Sequence, residues 1–532
     1  MSGVSKLSDF FSPITLATLV TTVICCALLV LPGATATSMY FNDILIFLDG
    51  AYRVVHGQVP NQDFHTALGP LNYYIPGLGY WLTGRLGMAM PIGMATLVLV
   101  TAPIMIHVLR SRMRPLIGVP LAVFFVLLLA TPMNTGEIPS KVSFAMFYNR
   151  IGWVLLGILL VMHIQPNRPV RQQGWLDAAS AATLTMLLAY TKMTYGVVAS
   201  GFLVLLLLQS AQRRWAAGAI ALCVFVGLVV EAFWGGTWAH INDLVEATKV
   251  SGVIEPYIYV RSFLLTSGEY VVFALIAGLA LWRRPRFTDF LFYGFCGAAG
   301  FALLNQNFQT IGIVSMLAGA AVAAEIVARE EQPRRSPAMQ TVARGAPFAV
   351  AVLLLPIALS SATAIGVHAT VAATKSGVAL DTPNGKGLRI VNILNKGQFE
   401  FYSDYGNTLG SGATLLASLD SSASRVLVMD FVSPFTSLAG LPPPEGGTAW
   451  MHDNRNFDLE FHLPAEEMLG GVDVVMIPTQ PVAEGTTEKM QQIYGPYLEQ
   501  HFELTRKTEF WSLYQRRSAT GTDLALIAPR SS

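Results

Sequence analysis

The chain has little charge. Of its 532 residues only 13% are Asp, Glu, Lys or Arg, against about 25% in soluble domains, while 53% are hydrophobic and the mean hydropathy is +0.50. That excludes an ordinary soluble enzyme and a disordered chain. A formal net charge of +1 also excludes a nucleic-acid binder working through a strongly basic surface. Cysteine is scarce too. Cys25, Cys26, Cys223 and Cys296 all fall in apolar runs without CxxC spacing, so they read as small buried apolar residues rather than a disulfide or zinc framework. There is no GxGxxG, no P-loop, no GxSxG and no internal repeat, which removes the common nucleotide and hydrolase signatures.

What charge there is divides unevenly. Residues 1–374 carry 22 basic and 15 acidic side chains, and residues 375–532 carry 12 and 18. A bilayer core of about 30 Å needs roughly 20 apolar helical residues. Eleven candidate spans lie near 14–32, 91–109, 115–131, 151–164, 176–192, 196–210, 216–235, 270–282, 287–304, 308–327 and 346–366. Fifteen of the 22 basic residues sit in alternate connections: Lys6, Arg110/Arg112/Arg114, Arg168/Arg171, Arg213/Arg214, Arg283/Arg284/Arg286 and Arg329/Arg334/Arg335/Arg344. Placing these connections in the cytoplasm puts 33–90, 132–150, 236–268 and the C-terminal domain outside. The alternation holds only if the Gly- and Pro-rich stretch 71–87 does not cross. Ala34-Thr35-Ala36 resembles a signal-peptide cleavage site, but the thin charged start and long apolar run favour a retained first helix.

Beyond about 375 the pattern changes. Ser424–Phe431 and Val472–Pro478 read as buried strands, Phe502–Arg517 as a hairpin or long strand, and Gly406–Leu419 and Thr487–His501 as helices. The expected architecture is an α-helical polytopic membrane domain over residues 1–370 with an outer juxtamembrane-helix loop at 33–90. A small extracytoplasmic α/β domain follows at 375–532.

The outer loop Tyr40–Tyr74 carries the densest polar chemistry of the membrane part. From Phe41 to His56 an apolar stripe (Phe41, Leu45, Leu48, Tyr52, Val55) predicts an amphipathic helix suited to the membrane interface. Asp43 falls opposite the stripe, while Asp49, Arg53 and His56 share a flank. Gly57 ends the helix, and Asp63 and His65 precede the Gly69-Pro70 turn. The bland reading of such a row is a solvated helix face. Six ionisable residues within 23 positions of a charge-poor region favour a functional one.

Asn42-Asp43, Tyr52-Arg53, Gly57, Asp63 and Gly69-Pro70-Leu71 running into Tyr73-Tyr74 resemble the first outer loop of the GT-C superfamily of membrane glycosyltransferases. This superfamily includes protein O-mannosyltransferases and the lipid A aminoarabinose transferase. Thr191-Lys192 resembles the family's TK motif. The chain departs from the family in having Asn42-Asp43 where Asp-Glu is frequent, and Gly69-Pro70-Leu71 where PPL is. Its second outer loop offers Glu137 and Tyr148-Asn149-Arg150 rather than an Asp. The resemblance implies a GT-C-like fold in the bacterial inner membrane, with the N-terminus cytoplasmic and the C-terminal domain periplasmic. It also implies transfer of a hexosyl or pentosyl group from a polyprenyl-phosphate donor, with inversion, to a lipid, glycan or protein acceptor.

The chemistry asks for a base for the acceptor hydroxyl and cations for the departing phosphate, all at the depth where the carrier lipid meets water. Asp43 is the expected base. Asp49, Arg53, Asp63, His65, Tyr148, Arg150 and Lys192 are the expected substrate contacts. A lysine within a span costs about 2.5–3.5 kcal/mol on insertion scales. Lys192 therefore reads either as a used cation or as a lysine snorkelling at a helix end, and Arg150 either as a cation or as an interface anchor beside Trp153. Asp43 with Asp63 form a candidate pair for a loosely held Mg²⁺ or Mn²⁺. Two other readings stand beside the transferase: a transporter or flippase of lipid-linked glycans, and a glycan ligase or polymerase. The polar run Trp450–Asp458 reads as an acceptor-binding loop or as part of a cap over the outer face. The topology is directly checkable. A cysteine at position 43 is expected to react with a membrane-impermeant maleimide added from outside, and labelling only from the cytoplasmic side would invert the whole arrangement.

Overall fold

The computed structural model describes residues 12–250, 256–305, 312–329, 337–419 and 424–517. Lys6, Arg334 and Arg335 of the basic connections lie outside these. Helices occur at each of the eleven positions read as spans. In chain order they are α1 (Pro13–Val30), then, after two outer-loop helices, α4 (Leu86–Arg112), α5 (Pro115–Ala130), α6 (Phe147–Val161), α7 (Gln173–Thr191), α8 (Met193–Leu206) and α9 (Arg213–Trp234). After a further helix, α10 (Thr237–Val250), come α11 (Pro256–Arg283), α12 (Phe287–Asn305), α13 (Val314–Arg329) and α14 (Pro337–Ala373). Six of the described helices are long and apolar enough to cross a membrane, and α5, α6 and α8 are apolar but shorter. The chain is a multi-pass membrane protein.

The connections sort to two ends of the bundle. At one end the basic residues of alternate connections meet acidic partners: Arg112 pairs with Asp177 at 2.7 Å, Arg329 with Glu325 at 2.9 Å, Arg114 with the same Glu325 at 3.4 Å, and Arg284 with Asp289 at 2.7 Å. Four of the basic residues that mark this end are thus fixed in buried or half-buried pairs. At the other end Ser38 N–H donates to the Val142 carbonyl at 2.9 Å, and Tyr40 OH donates to Glu137 at 2.8 Å, joining the first and second outer loops.

The first outer loop holds α2 (Phe41–Val55) and α3 (Leu71–Thr83). At 13 residues α3 is about 20 Å long, too short for a 30 Å core. The two helices cross closely at Gly50, where any Cβ would come within 2.0 Å of the Tyr73 ring. Gly69 makes the same kind of approach: a Cβ there would lie 2.2 Å from the Tyr190 carbonyl, so the Gly69-Pro70-Leu71 turn can press against the end of α7 only without a side chain.

C-terminal to α14 the chain does not separate cleanly from the membrane part. A strand of the first loop, β1 (Thr35–Thr37), pairs in parallel with β3 (Leu388–Ile390), which also pairs with β2 (Val378–Ala379). Next come α15 (Lys396–Ala417), β4 (Val426–Val428), α16 (Phe435–Ala439), α17 (Ala465–Leu469), β5 (Val474–Pro478), α18 (Glu484–His501), β6 (Phe502–Lys507) and β7 (Trp511–Arg516). The sheet runs β4-β5-β7-β6, parallel between β4 and β5 and antiparallel elsewhere. The two apolar stretches read as buried strands contain β4 and β5, and Phe502–Arg517 is the β6–β7 hairpin. α15 begins ten residues earlier than the pattern from Gly406 indicates.

The bland reading of a solvated face does not hold for Asp49 and Arg53 of α2. Ile44 through Arg53 are all buried, polar flank included, because α16 of the C-terminal region covers the side that α3 does not. On that flank Arg53 Nε donates to Asp49 Oδ2 at 2.9 Å, with both side chains 3% exposed, and Asp49 Oδ1 accepts the Ser437 N–H of α16 at 3.3 Å. The Arg53 guanidinium also lies 5.1 Å from the Phe64 ring centroid. This is a buried pair bolting α2 to the C-terminal region. Breaking such a pair from one side leaves an uncompensated charge, typically a loss of about 3–5 kcal/mol. Arg53→Ala is therefore expected to lower the unfolding midpoint of the detergent-solubilised protein more than the double substitution Asp49→Ala/Arg53→Ala does. A single variant as stable as wild type would remove the pair from this role.

Candidate active site

A cavity of about 390 Å³ opens where the N-terminus of α2 meets the C-terminal region. Tyr40, Asn42, Asp43, Ile46, Phe47, Leu68, Met146 and Tyr148 form the wall from the outer loops, and Phe431, Trp450, His452, Arg455, Val482 and Ala483 form the other. Two of its lining residues, Tyr40 (φ 56°) and Met146 (φ 51°), hold left-handed backbone directly before α2 and α6. For non-glycine residues that conformation persists where surrounding contacts enforce it, and it clusters at functional sites. Tyr40 is held by its N–H, which donates to Tyr402 OH at 3.0 Å, and by its own hydroxyl on Glu137.

Asp43 is the carboxylate of this cavity. It sits in the first turn of α2, where the helix dipole favours a negative charge, and Asn42 Nδ2 donates to its Oδ1 at 3.2 Å. Burial pushes its carboxyl up to about 6, against the opposing charge of Arg455, which holds it down. A carboxylate tuned to that range is mostly ionised near neutrality and basic enough to take a proton from a hydroxyl as bond formation proceeds. Beyond Tyr148, Lys192 Nζ stands 5.2 Å from the Tyr148 ring centroid and donates to Asn149 Oδ1 at 3.2 Å. The extended Lys192 between α7 and α8 thus reaches the back of the cavity wall.

The remaining expected contacts lie elsewhere. Asp49 and Arg53 form the buried pair already described and do not line the cavity. Asp63 Oδ2 accepts the Val59 N–H at 2.6 Å, which makes it a loop fastener. His65 bridges three segments: Nδ1 meets Asp243 of α10 at 2.7 Å and Nε2 meets Glu467 of α17 at 2.6 Å. The Asp243 hydrogen bond, opposed by partial burial and helped by Glu467, raises its titration to about 9, so His65 is charged at neutral pH and latches the loop to the outer helices. Arg150 is fully buried in α6, where Nη1 makes a long 3.5 Å contact with the Ala145 carbonyl, and it does not line the cavity.

The same geometry bears on a metal. Asp43 and Asp63 do not share the cavity lining, and the charges near Asp43 are cationic. Among the described residues no group of three or more His, Cys, Asp or Glu side chains gathers to hold an ion. A loosely held Mg²⁺ wants several oxygen ligands, so these residues do not fit the expected Asp43–Asp63 site.

Sequence reasoning missed Arg455, whose charge acts on Asp43, and His452, which lines the same cavity. They lie over 400 positions away, and only the polar character of Trp450–Asp458 pointed to them. It also missed a second feature, an apolar groove of about 380 Å³ between α3, α7 and α9, lined by Pro70, Leu71, Met186, Tyr190, Val230 and Trp234 among others. Leu68 lines the polar cavity and Pro70 and Leu71 line the groove, so the turn at Gly69 separates the two.

No family model and no curated protein matches the chain. Among solved structures it is similar to ArnT from Cupriavidus metallidurans. The apo form aligns at 12% identity over 94% of this chain and 98% of that one, with a TM-score of 0.45. The form bound to undecaprenyl phosphate aligns at 14% identity over 95% and 98%, with a TM-score of 0.46. It is also similar to the arabinofuranosyltransferase AftD from Mycobacteria, at 14% identity over 95% of this chain and 40% of that one, with a TM-score of 0.41.

Proposed function

We propose that the protein is an inverting membrane glycosyltransferase. It takes one hexosyl or pentosyl group from a polyprenyl-phosphate donor at the outer face of a bacterial inner membrane and passes it to a lipid, glycan or protein acceptor. The observation that carries the reading is Asp43: one carboxylate, half-buried at a helix N-terminus and opposed by Arg455, in a cavity one turn of chain from an apolar groove.

Each part has a task in the reaction. The acceptor hydroxyl attacks the anomeric carbon from the face opposite the phosphate. The new C–O bond forms as the old C–O bond to phosphate breaks, the proton goes to Asp43, and the electron pair leaves with the carrier phosphate. Arg455, which lines the cavity, is the cation that offsets the charge gathering on that phosphate, while Lys192 stands behind Tyr148 and supports the wall. The groove beside Pro70 and Leu71 takes the first isoprene units while the head group enters the polar cavity, which keeps the reactants aligned at the membrane surface. The transporter reading asks for ionisable groups along a midplane path. The cluster around Asp43 lies instead in the outer loops and C-terminal region. The ligase reading, with a pyrophosphate-linked donor, remains the nearer competitor and is separated by donor choice.

Purified protein supplied with a radiolabelled polyprenyl-phosphate sugar and envelope lipids is expected to transfer label. Asp43→Asn is expected to cut transfer by about 10²- to 10⁴-fold at unchanged expression, the usual worth of a positioned base. Since the base works ionised, wild-type kcat/KM should fall as pH drops through about 6 and level off above it. Full activity in Asp43→Asn, or movement of donor across the bilayer without bond cleavage, would overturn the proposal.

A further inference from the structure

The carboxylate proposed as the base is tied into a chain of polar groups that starts in the C-terminal region. Asn42 and Asp43 are neighbours in the first turn of α2, and both line the cavity. Tyr402 of α15, 6% exposed, reaches the same turn from the other side. One turn further along α15, Tyr405 packs edge to face on Phe41 with centroids 6.4 Å apart. The Tyr402 hydroxyl has two contacts. It accepts the Tyr40 N–H at 3.0 Å and donates to Asn42 Oδ1 at 3.4 Å. Asn42 Nδ2 in turn donates to Asp43 Oδ1 at 3.2 Å. The directions are forced. A backbone N–H can only donate, so the Tyr402 oxygen accepts there and its one proton is left for Asn42. An ionised carboxylate only accepts, so the amide turns its NH₂ to Asp43 and its oxygen to Tyr402. Both side-chain links are long, as catalytic contacts often are before substrate is bound.

In such a chain each donor polarises the next, and a hydrogen bond to the charged form of an acid favours that form. Asp43 Oδ2 has no hydrogen-bond partner among the described residues and is not one of the polar atoms closed off from solvent. The amide thus occupies one carboxylate oxygen and leaves the other for a proton. We infer that Tyr402 is a positioning residue: through the Asn42 amide it holds Asp43 in one orientation, ionised, with Oδ2 open to the acceptor hydroxyl. That role in the reaction rests on Asp43 being the base, as proposed above, while the chain of hydrogen bonds does not. The other ionisable groups around Asp43 are on the page. Burial holds the Tyr40 and Tyr402 hydroxyls above their ordinary value, so both keep their protons across the acid and neutral range. Glu137 lies behind Tyr40, on its hydroxyl. Tyr148 and His452 line the same cavity, and Arg455 acts on Asp43 from the C-terminal region.

The titration of Asp43 can be read without any transfer. Full-length protein in lipid nanodiscs is acidified stepwise, and the infrared carboxyl band that wild type gains and Asp43→Asn does not is followed against pH. The wild-type midpoint is expected at about 6. Asn42→Leu, which removes the direct donor, is expected to raise it by about one pH unit, and Tyr402→Phe by about half a unit. Once the amide is gone Tyr402 has nothing to hold, so Asn42→Leu/Tyr402→Phe should titrate where Asn42→Leu alone does. An unmoved midpoint in Tyr402→Phe overturns the inference. So do shifts that add in the double variant, which is what a merely structural loss of the Tyr40 tie would give. Melting curves in the same discs show which variants are folded, and Asn42→Ala takes the place of Asn42→Leu if that one is not. Because no donor is present, a protein that transfers no sugar would overturn the function proposed above and leave this chain standing. A midpoint that Tyr402→Phe does not move leaves the base role of Asp43 to its own activity test.

Discussion

The arrangement depends on the burial of one short helix. α2 begins directly after a left-handed residue, carries Asp43 in its first turn, and is then covered on one side by α3 and on the other by α16. Its polar flank, which alone would seek water, is neutralised by the Asp49–Arg53 pair and closed by the Ser437 N–H. Burying that pair has a desolvation cost, but it fixes the rotation of α2 and so the direction in which Asp43 points. Six positions separate Asp43 from Asp49, which at about 100° per residue puts them on different sides of the helix. One carboxylate is spent on assembly and the other is left facing a cavity.

This division explains what the sequence revealed and what it concealed. The order of the apolar helices and the strands near 426 and 474 follow from runs of apolar side chains, which local pattern reports well. Asp43 stood out because an acidic residue just beyond a first span, followed by a Gly-Pro-Leu turn, is a local signal, and the structure places it in a cavity wall. The roles of Asp49, Arg53, Asp63 and His65 were not legible. Asp49 and His65 have sequence positions as suggestive as Asp43, but what they touch is set by partners far along the chain, Ser437 for Asp49 and Asp243 and Glu467 for His65, while Arg53 and Asp63 are held locally by Asp49 and the Val59 N–H. Whether a charge meets a substrate or a distant backbone amide is a tertiary fact, and spacing carries no trace of it.

The same limit applies to the second wall. Trp450, His452 and Arg455 complete the cavity only because the C-terminal region folds back onto the first outer loop, a return anchored by the β1–β3 pairing and by Asp49 to Ser437. Division at residue 375 is right for composition and wrong for the site, which draws its lining from both sides of that line. The result is a polar cavity that holds one tuned acid between cationic and aromatic groups. An apolar groove lies on the far side of a turn that only glycine permits, so the polar and apolar surfaces that the proposed donor needs stand side by side.

The central claim is that Asp43 of the first outer loop and Arg455 of the C-terminal region form one electrostatic site. It is tested most directly by the pH dependence of kcat/KM in Arg455→Gln beside wild type. Removing a neighbouring positive charge disfavours the ionised carboxylate, so the midpoint near 6 should move to higher pH, with activity lost over a wider acidic range. A midpoint that stays where wild type has it would contradict the account.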